Sequence, residues 1–232
     1  MRTSSIAAPR VIASRLKAFR LVRPAVGGLG VAVGILLAVV PATPSLAAPS
    51  RTTRVPGPLG PENVPLEVGT PLAPASTAAQ GQTVDGVQCN SSEQVAYHVH
   101  TRLTVYVDGK MRPLPPGIGI VAPVAKRTTR GPFYQATHCY YWLHVHAQDG
   151  IIHIESPTKR TYTLGQFFDL WGQPLSRTQV ASAEGPMVVF VNGRKYTGDP
   201  RSITLGSRKV VQIDVGSPVV PPKTVDWSVT GL

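Results

Sequence analysis

Residues 95–107 alternate between apolar and polar side chains, and this alternation constrains the fold more than any other feature of the chain. One parity is apolar: Val95, Tyr97, Val99, Leu103, Val105 and Val107. The other parity carries Ala96, His98, His100, Arg102 and Thr104. A period of two predicts a β-strand with one face in the core and one polar face. Asp108-Gly109 follows directly and predicts a two-residue hairpin turn.

Turn and capping signals predict further elements after this strand. The segment MVVFVNGRKY predicts a second hairpin that turns at Asn192-Gly193, and residues 209–215 predict a last strand. One helix is expected where Thr163 and Gln166 have the spacing of a capping box and Gly172 follows the apolar repeat. Strands on both sides of one short helix indicate an α+β fold that is mostly β and built from antiparallel hairpins. Within that class we predict a β-grasp-like arrangement.

The N-terminus has the organisation of a secretory signal peptide. Residues 1–24 carry six positive charges and no acidic residue, an apolar run covers Ala25–Val40, and small residues follow. We therefore predict a signal peptide over residues 1–47, cleaved after Ala47 or, alternatively, after Ala48. The other interpretation is an uncleaved anchor, but sixteen apolar residues are fewer than the roughly 20 that span a bilayer. The chain is expected to be secreted or to lie in the cell envelope, with membrane contact only through this segment if it is retained.

Composition divides the rest of the chain into three parts. Residues 48–83 are rich in Pro, Ala, Gly, Ser and Thr and lack apolar periodicity, which predicts a flexible linker. Residues 84–216 carry the strand and helix signals and are predicted to form a single β-rich domain, long enough to bury a core. Residues 217–232 are predicted to be a C-terminal tail.

The charge of the exported part argues against nucleic-acid binding. The formal charge is +11, and removal of the six positive charges of the leader leaves 17 basic and 12 acidic residues, or +5. Basic residues cluster only at residues 126–130, where no aromatic side chains are interleaved for stacking on bases. We expect no nucleic-acid partner, and the sequence leaves a protein or cell-wall partner open.

The two cysteines, Cys89 and Cys139, both lie in the exported part. Because disulfides persist outside the cytoplasm, we predict a bond between them. In the chain-entropy account, closing a loop of about 50 residues stabilises a fold by roughly 3–4 kcal/mol. The alternative is a thiolate metal ligand, but the chain has no Cys-x-x-Cys pair.

All six histidines lie between residues 98 and 153. Two pairs have the spacing His-x-His, which on a strand points both rings to the same side: His98 with His100, and His144 with His146. The first pair falls on the polar face of the strand described above. The sixth histidine, His138, is not included in the predicted site.

The second pair lies in a predicted hairpin, CYYWLHVHAQDGIIHIESP, which turns at Asp149-Gly150. A two-residue loop sets His146 opposite His153, whereas a four-residue loop, residues 147–150, sets His144 opposite His153. Either register brings a histidine opposite His153, with Cβ atoms about 5 Å apart.

These residues have the donor types of a transition-metal site. The predicted first ligands of a copper or zinc ion are His144, His146 and His153. Glu155 is expected to be a further ligand or to orient a ring. His98 and His100 either complete the shell or form a second site. The alternative is that the histidines are polar residues on a solvated sheet face and bind nothing.

Four segments of the chain resemble an uncharacterised family of exported bacterial and archaeal proteins: YHVHTRLTVYVDGK, GIGIV, CYYWLHVHAQDGIIHIESP and TLGQFFDLWGQPL. The resemblance covers about residues 88–216. It implies an exported domain and carries no known activity. Cupin chemistry is not indicated, because no glutamate follows His146 at the required spacing, and no phosphate loop or Gly-x-Ser-x-Gly elbow occurs.

Three functions remain to be distinguished. The leading hypothesis is an exported metal-binding domain. The second is a hydrolase in which the same metal activates water and Glu155 acts as base, but the sequence shows no substrate pocket and we favour a non-enzymatic role. The third is a structural or adhesive envelope domain without metal, which predicts that the two His-x-His pairs point to separate regions of the surface.

Overall fold

The computed structural model describes residues 57–75 and 79–232, and within these ranges the protein is mostly β with one α-helix. The predicted α+β class is therefore confirmed, whereas the strand order does not confirm a β-grasp-like arrangement. The predicted signal peptide lies outside the described residues. The elements are β1 (Cys89–Asn90), β2 (Tyr97–Val107), β3 (Lys110–Met111), β4 (Ile120–Thr128), β5 (Gly131–Tyr141), β6 (Leu143–His144), β7 (Ile151–Ser156), α1 (Leu164–Trp171), β8 (Gln179–Val180), β9 (Ala183–Glu184), β10 (Met187–Val191), β11 (Arg194–Tyr196) and β12 (Lys209–Val215), with short 3-10 helices at Pro200–Ser202 and Trp227–Val229.

The largest sheet has seven strands in the order β11-β10-β12-β2-β7-β6, with β3 also paired to β2. Strands β12 and β2 run parallel, and the other neighbours in this sheet are antiparallel. A three-stranded sheet has the order β1-β5-β4, and β8 pairs with β9. Because β2 lies beside β7 and β7 beside β6, the three strands that carry most of the predicted site residues are neighbours.

Two of the three predicted hairpin turns have the expected geometry. Asp108-Gly109 joins β2 to β3 with φ values of 48° and 69°, and Asn192-Gly193 joins β10 to β11 with φ values of 50° and 76°. Positive φ at both central residues is the type I′ geometry that Asp-Gly and Asn-Gly sequences favour. Local sequence is therefore sufficient to specify these two turns.

The helix α1 begins and ends where the sequence predicts. The Thr163 hydroxyl accepts a hydrogen bond from the Gln166 backbone N–H at 3.3 Å, and the Gln166 side-chain oxygen accepts one from the Thr163 N–H at 2.9 Å. Gly172 follows with φ 70°. The apolar side of the helix is fully buried in the main core: Leu164, Phe167, Phe168 and Trp171. No helix in the described part of the chain is long and apolar enough to cross a membrane.

The segment of residues 57–75 lies against the largest sheet, although its composition is that of the predicted linker. The Glu67 N–H donates to the Gln148 carbonyl oxygen at 2.7 Å, and the Leu72 N–H donates to a carbonyl of the chain after β3 at 2.8 Å. The Glu67 carboxylate accepts from the Thr104 hydroxyl at 3.1 Å. These bonds place the segment over the polar face of β2.

The predicted disulfide between Cys89 and Cys139 is present. It connects β1 to β5, and Cys89 also pairs with Tyr141 in the β1–β5 ladder. The bond therefore fixes the start of the chain that leads into β2 against the strand that leads into β6.

Candidate metal centre

The pairing of three strands brings the two histidine pairs together. In the β2–β7 ladder, His100 lies opposite His153 and His98 lies opposite Glu155. In the β6–β7 ladder, His144 lies opposite His153. His153 on the middle strand is therefore flanked by a histidine from each neighbouring strand. The two His-x-His pairs converge, whereas a purely structural domain was expected to point them to separate surfaces.

The second pair has the register of the four-residue loop, but the chain leaves the ladder early. Strand β6 ends at His144, after which the Val145 N–H donates to Ile118 O at 2.9 Å. The Tyr134 N–H of β5 then donates to His146 O at 3.0 Å. The backbone between His144 and His146 is thus held by hydrogen bonds outside β7, and both side chains are buried.

His144 and His146 meet with their Nε2 atoms 2.9 Å apart. The Nδ1 atom of each ring faces a backbone carbonyl oxygen, that of Tyr141 at 2.8 Å and that of Tyr134 at 2.6 Å. A carbonyl oxygen can only accept, so each Nδ1 carries the proton and each Nε2 presents a lone pair. Two lone pairs this close require a positive centre between them, either an additional proton or a metal ion.

Burial disfavours the additional proton. The ring of Phe133 stacks on His146 with centroids 4.1 Å apart and planes at 12°, and Tyr140 lies 5.5 Å from His144. Burial is the main cause that lowers the pKa of His144 well below its ordinary value, and the neighbouring rings of His146 and His153 add to it. The neutral ring that results is the form that binds a metal.

His153 lies between two carboxylates. Its Nδ1 donates to Glu155 Oε1 at 3.3 Å, and its Nε2 is 2.9 Å from Glu62 Oε1. The second contact is an ion pair without hydrogen-bond geometry. Burial alone would lower the pKa of His153, but the negative charges of Glu62 and Glu155 raise it to about 10. The metal-free ring is therefore protonated at neutral pH.

Glu155 contacts rings from all three strands. Its Oε1 is 3.0 Å from His98 Nε2, 3.3 Å from His153 Nδ1 and 3.8 Å from His144 Nε2. Burial alone would raise the pKa of Glu155, but the hydrogen bonds from His153 and His98 and the charges of the rings hold it well below its ordinary value. The group is an ionised carboxylate in a buried position, which requires compensating positive charge.

The donor atoms of the predicted residues form two compact sets, and within each set all atoms lie within 4.8 Å of one another. The first set is entirely buried: His144, His146, His153 and Glu155. The second set is His98, His100 and His153. All six predicted ligands thus belong to one cluster, which we call the histidine cluster.

Two further carboxylates belong to the histidine cluster and were missed by sequence reasoning. Glu62 contacts His153 as described, and Glu93 Oε1 lies 3.3 Å from His146 Nε2. Burial alone would raise the pKa of Glu62, but the charge of His153 and the contact with it lower it. Glu62 lies in the Pro-rich stretch and Glu93 between β1 and β2, and neither segment has a periodic pattern that could have indicated a role.

Buried polar atoms without partners are concentrated at this cluster. Among the described residues, eight buried side-chain nitrogen or oxygen atoms have no hydrogen-bond partner. Four of them are His100 Nε2, His153 Nε2, Glu62 Oε2 and Glu155 Oε2. Buried polar groups in native proteins are normally paired. Unpaired nitrogen and oxygen atoms that converge on one region indicate a site for a bound group that would contact them.

A cavity of about 640 Å³ lies along the same face of β2. Arg102, Thr104 and Tyr106 line it from the strand, Glu67 from the N-terminal segment and Lys223 from the C-terminal part of the chain. Alternate residues of a strand share a face, so this cavity lies on the same side of the sheet as His98 and His100.

The chain matches no protein-family model, no curated protein and no solved structure. Its function must therefore be inferred from the residues of the histidine cluster.

Proposed function

We propose that the protein is an exported metal-binding domain that holds a copper or zinc ion through His144, His146, His153 and Glu155. The observation that carries the proposal is the 2.9 Å approach of the His144 and His146 Nε2 atoms while both Nδ1 atoms donate to backbone carbonyls. Metal-bound histidines commonly donate their second N–H to a carbonyl, which fixes the tautomer and aims the other nitrogen at the ion.

The donor set fits these metals. Imidazole and carboxylate ligands suit zinc and copper(II), and both cysteines are committed to the disulfide. With Zn–N bonds of roughly 2.0–2.1 Å and tetrahedral angles, two ligand nitrogens lie roughly 3.3–3.4 Å apart. The Nε2 atoms of His144 and His146 need to separate by only a few tenths of an ångström to reach that spacing.

The charge of the histidine cluster also favours a cation. Glu155 is buried and ionised, the ionised side chain of Glu62 is only 9% exposed, and Glu93 lies at the edge with its side chain 34% exposed. In the metal-free protein the protonated ring of His153 opposes them, and an ion that binds through His153 displaces its proton. A divalent cation offsets this excess of buried negative charge, which would otherwise destabilise the fold.

A hydrolase with Glu155 as general base is a less favoured function. The Oε1 atom of Glu155 accepts from His153 and contacts His98, and the pKa of this carboxyl is held well below its ordinary value. An efficient general base has a pKa near the working pH. The properties of Glu155 are those of a ligand, so binding is placed ahead of catalysis.

Metal content and affinity test the proposal, measured on the full-length chain purified without a polyhistidine tag and with the disulfide intact. We expect stoichiometric copper or zinc after dialysis, and at least a tenfold loss of affinity in His144→Ala and in His146→Ala. His138→Ala is the matched control, because His138 is exposed and lies outside the cluster. Protein that binds neither metal and whose Tm is unchanged by either would contradict the proposal.

Export is tested separately. N-terminal sequencing of the protein recovered outside the cytoplasm should begin at Ala48 or Pro49. A chain that begins at Met1 and sediments with membranes would instead support the uncleaved anchor, and a chain found only in the cytoplasm would contradict export.

A further inference from the structure

The histidine cluster contains more donor groups than one ion uses. Five rings and three carboxylates contribute: His98, His100, His144, His146, His153, Glu62, Glu93 and Glu155. A zinc ion takes four ligands and only sometimes five. The four residues proposed above use half of these groups and leave the pair on β2 without a role.

That pair forms a second donor set together with His153, which the first set also contains. The ring centroid of His100 lies 4.6 Å from those of both His98 and His153. His100 is only 8% exposed, yet its Nε2 has no hydrogen-bond partner. The His100 ring therefore offers a buried, unpaired nitrogen beside the donor atoms of His98 and His153.

Strand β7 carries the group that lies between the two sets. Glu155 Oε1 is 3.0 Å from His98 Nε2 on one side and 3.8 Å from His144 Nε2 on the other. The second oxygen of the same carboxylate is buried and has no partner. A carboxylate can offer one oxygen to each of two ions, and this one lies near the histidine pair of β2 and near His144, the last residue of β6.

We infer that the histidine cluster holds two metal ions bridged by Glu155, one bound by His144 and His146 and the other by His98 and His100. This inference rests on the proposed function, which supplies the first ion. His153 lies between the two histidine pairs, beside Glu62. In two-metal sites the ions are about 3.5–4 Å apart, a separation that a bridging carboxylate spans.

Copper(II) titration of the full-length chain tests the inference, with bound copper counted after dialysis and EPR recorded at each addition. We expect two equivalents in the wild type and in His138→Ala, and one equivalent in each double variant, His98→Ala/His100→Ala and His144→Ala/His146→Ala. Two copper(II) ions so close interact magnetically. The wild type should therefore lose the signal of isolated copper(II) at the second equivalent, whereas each double variant keeps it.

The outcomes separate this inference from the proposed function. If the wild type binds one equivalent of copper and His98→Ala/His100→Ala binds the same amount, the second ion is refuted and the first remains supported. One equivalent that disappears in that variant would also overturn it, because all the rings would then serve one ion. No bound copper or zinc in any form would overturn both. The EPR of the wild type needs no substitution, so the test stands even if a double variant does not fold.

Discussion

The carboxyl of Glu67 tests how the N-terminal segment packs on the sheet. Glu67 is 2% exposed, its Oε1 accepts from the Thr104 hydroxyl and lies 3.5 Å from Arg102 Nη2, and its Oε2 has no partner. Burial is the main cause that raises the pKa of Glu67 from 4.5 to about 7, although the charge of Arg102 opposes it. The stability of the protein should therefore depend on pH in part through this group.

A raised pKa means that the folded protein holds this proton more tightly than the unfolded chain. The stabilisation is complete below pH 4.5 and is lost as the pH rises through about 7. At about 1.36 kcal/mol per factor of ten, Glu67 contributes roughly 2–3 kcal/mol more to the free energy of unfolding at pH 5 than at pH 8. Glu67→Gln keeps the shape of the side chain and removes the ionisation. Between pH 5 and pH 8 the free energy of unfolding should therefore fall by about that amount less in Glu67→Gln than in the wild type.

Urea unfolding at pH 5 and pH 8 measures the effect, with a chelator present so that bound metal does not contribute. Glu184→Gln is the control, since Glu184 is an exposed carboxylate and should behave as the wild type does. The same pH dependence in the wild type and in Glu67→Gln would refute the reasoning. Glu67 would then be solvated, and residues 57–75 would not cover the sheet.

Three further changes have expected outcomes. Gly119 has φ 70°, and a Cβ there would collide with the carbonyl oxygen of Leu143. Gly119→Ala should therefore lower the free energy of unfolding by more than about 1 kcal/mol in urea titration and weaken metal binding. Unchanged stability and affinity would contradict this. Cys89→Ser opens the 50-residue loop and should lower the free energy of unfolding by roughly 3–4 kcal/mol, and denaturation of the wild type in reductant should show the same loss. Copper or zinc at 100 times its wild-type Kd should raise the free energy of unfolding of the wild type by about 2.7 kcal/mol per bound ion, and calorimetry should show a smaller gain in His144→Ala at the same concentration.

The elements of the fold were predictable where a local signal specifies them. Asp108-Gly109 and Asn192-Gly193 favour positive φ and therefore turn the chain by themselves, and the capping box of Thr163 and Gln166 needs no contact from elsewhere. The order of strands in the largest sheet depends on pairings between distant parts of the chain. The parallel pairing of β12 with β2 joins residues more than 100 positions apart, and no local pattern encodes it.

The histidine cluster was predictable only where local patterns specify it. Alternation placed His98 and His100 on one face of β2, and the turn before β7 placed a histidine opposite His153. Whether the two pairs meet depends on the β2–β7 pairing, which the sequence does not specify. Glu62 was missed because a Pro-rich composition predicts a linker irrespective of what the segment packs against, and its role follows only from the contact with His153.

Substitution of His100 tests whether its ring contributes to metal binding or to the stability of the fold. Its buried Nε2 has no partner, and an unpaired buried polar group costs about 1–3 kcal/mol. Leucine is close to histidine in size and has no polar atom, so His100→Leu removes the unpaired nitrogen without opening a large cavity. We therefore expect metal-free His100→Leu to be at least as stable in urea as the wild type, and to bind less copper. His138→Leu should change neither property. If His100→Leu instead destabilised the metal-free protein by more than about 1 kcal/mol, the ring would be part of the packing, and its unpaired nitrogen would no longer argue for a metal.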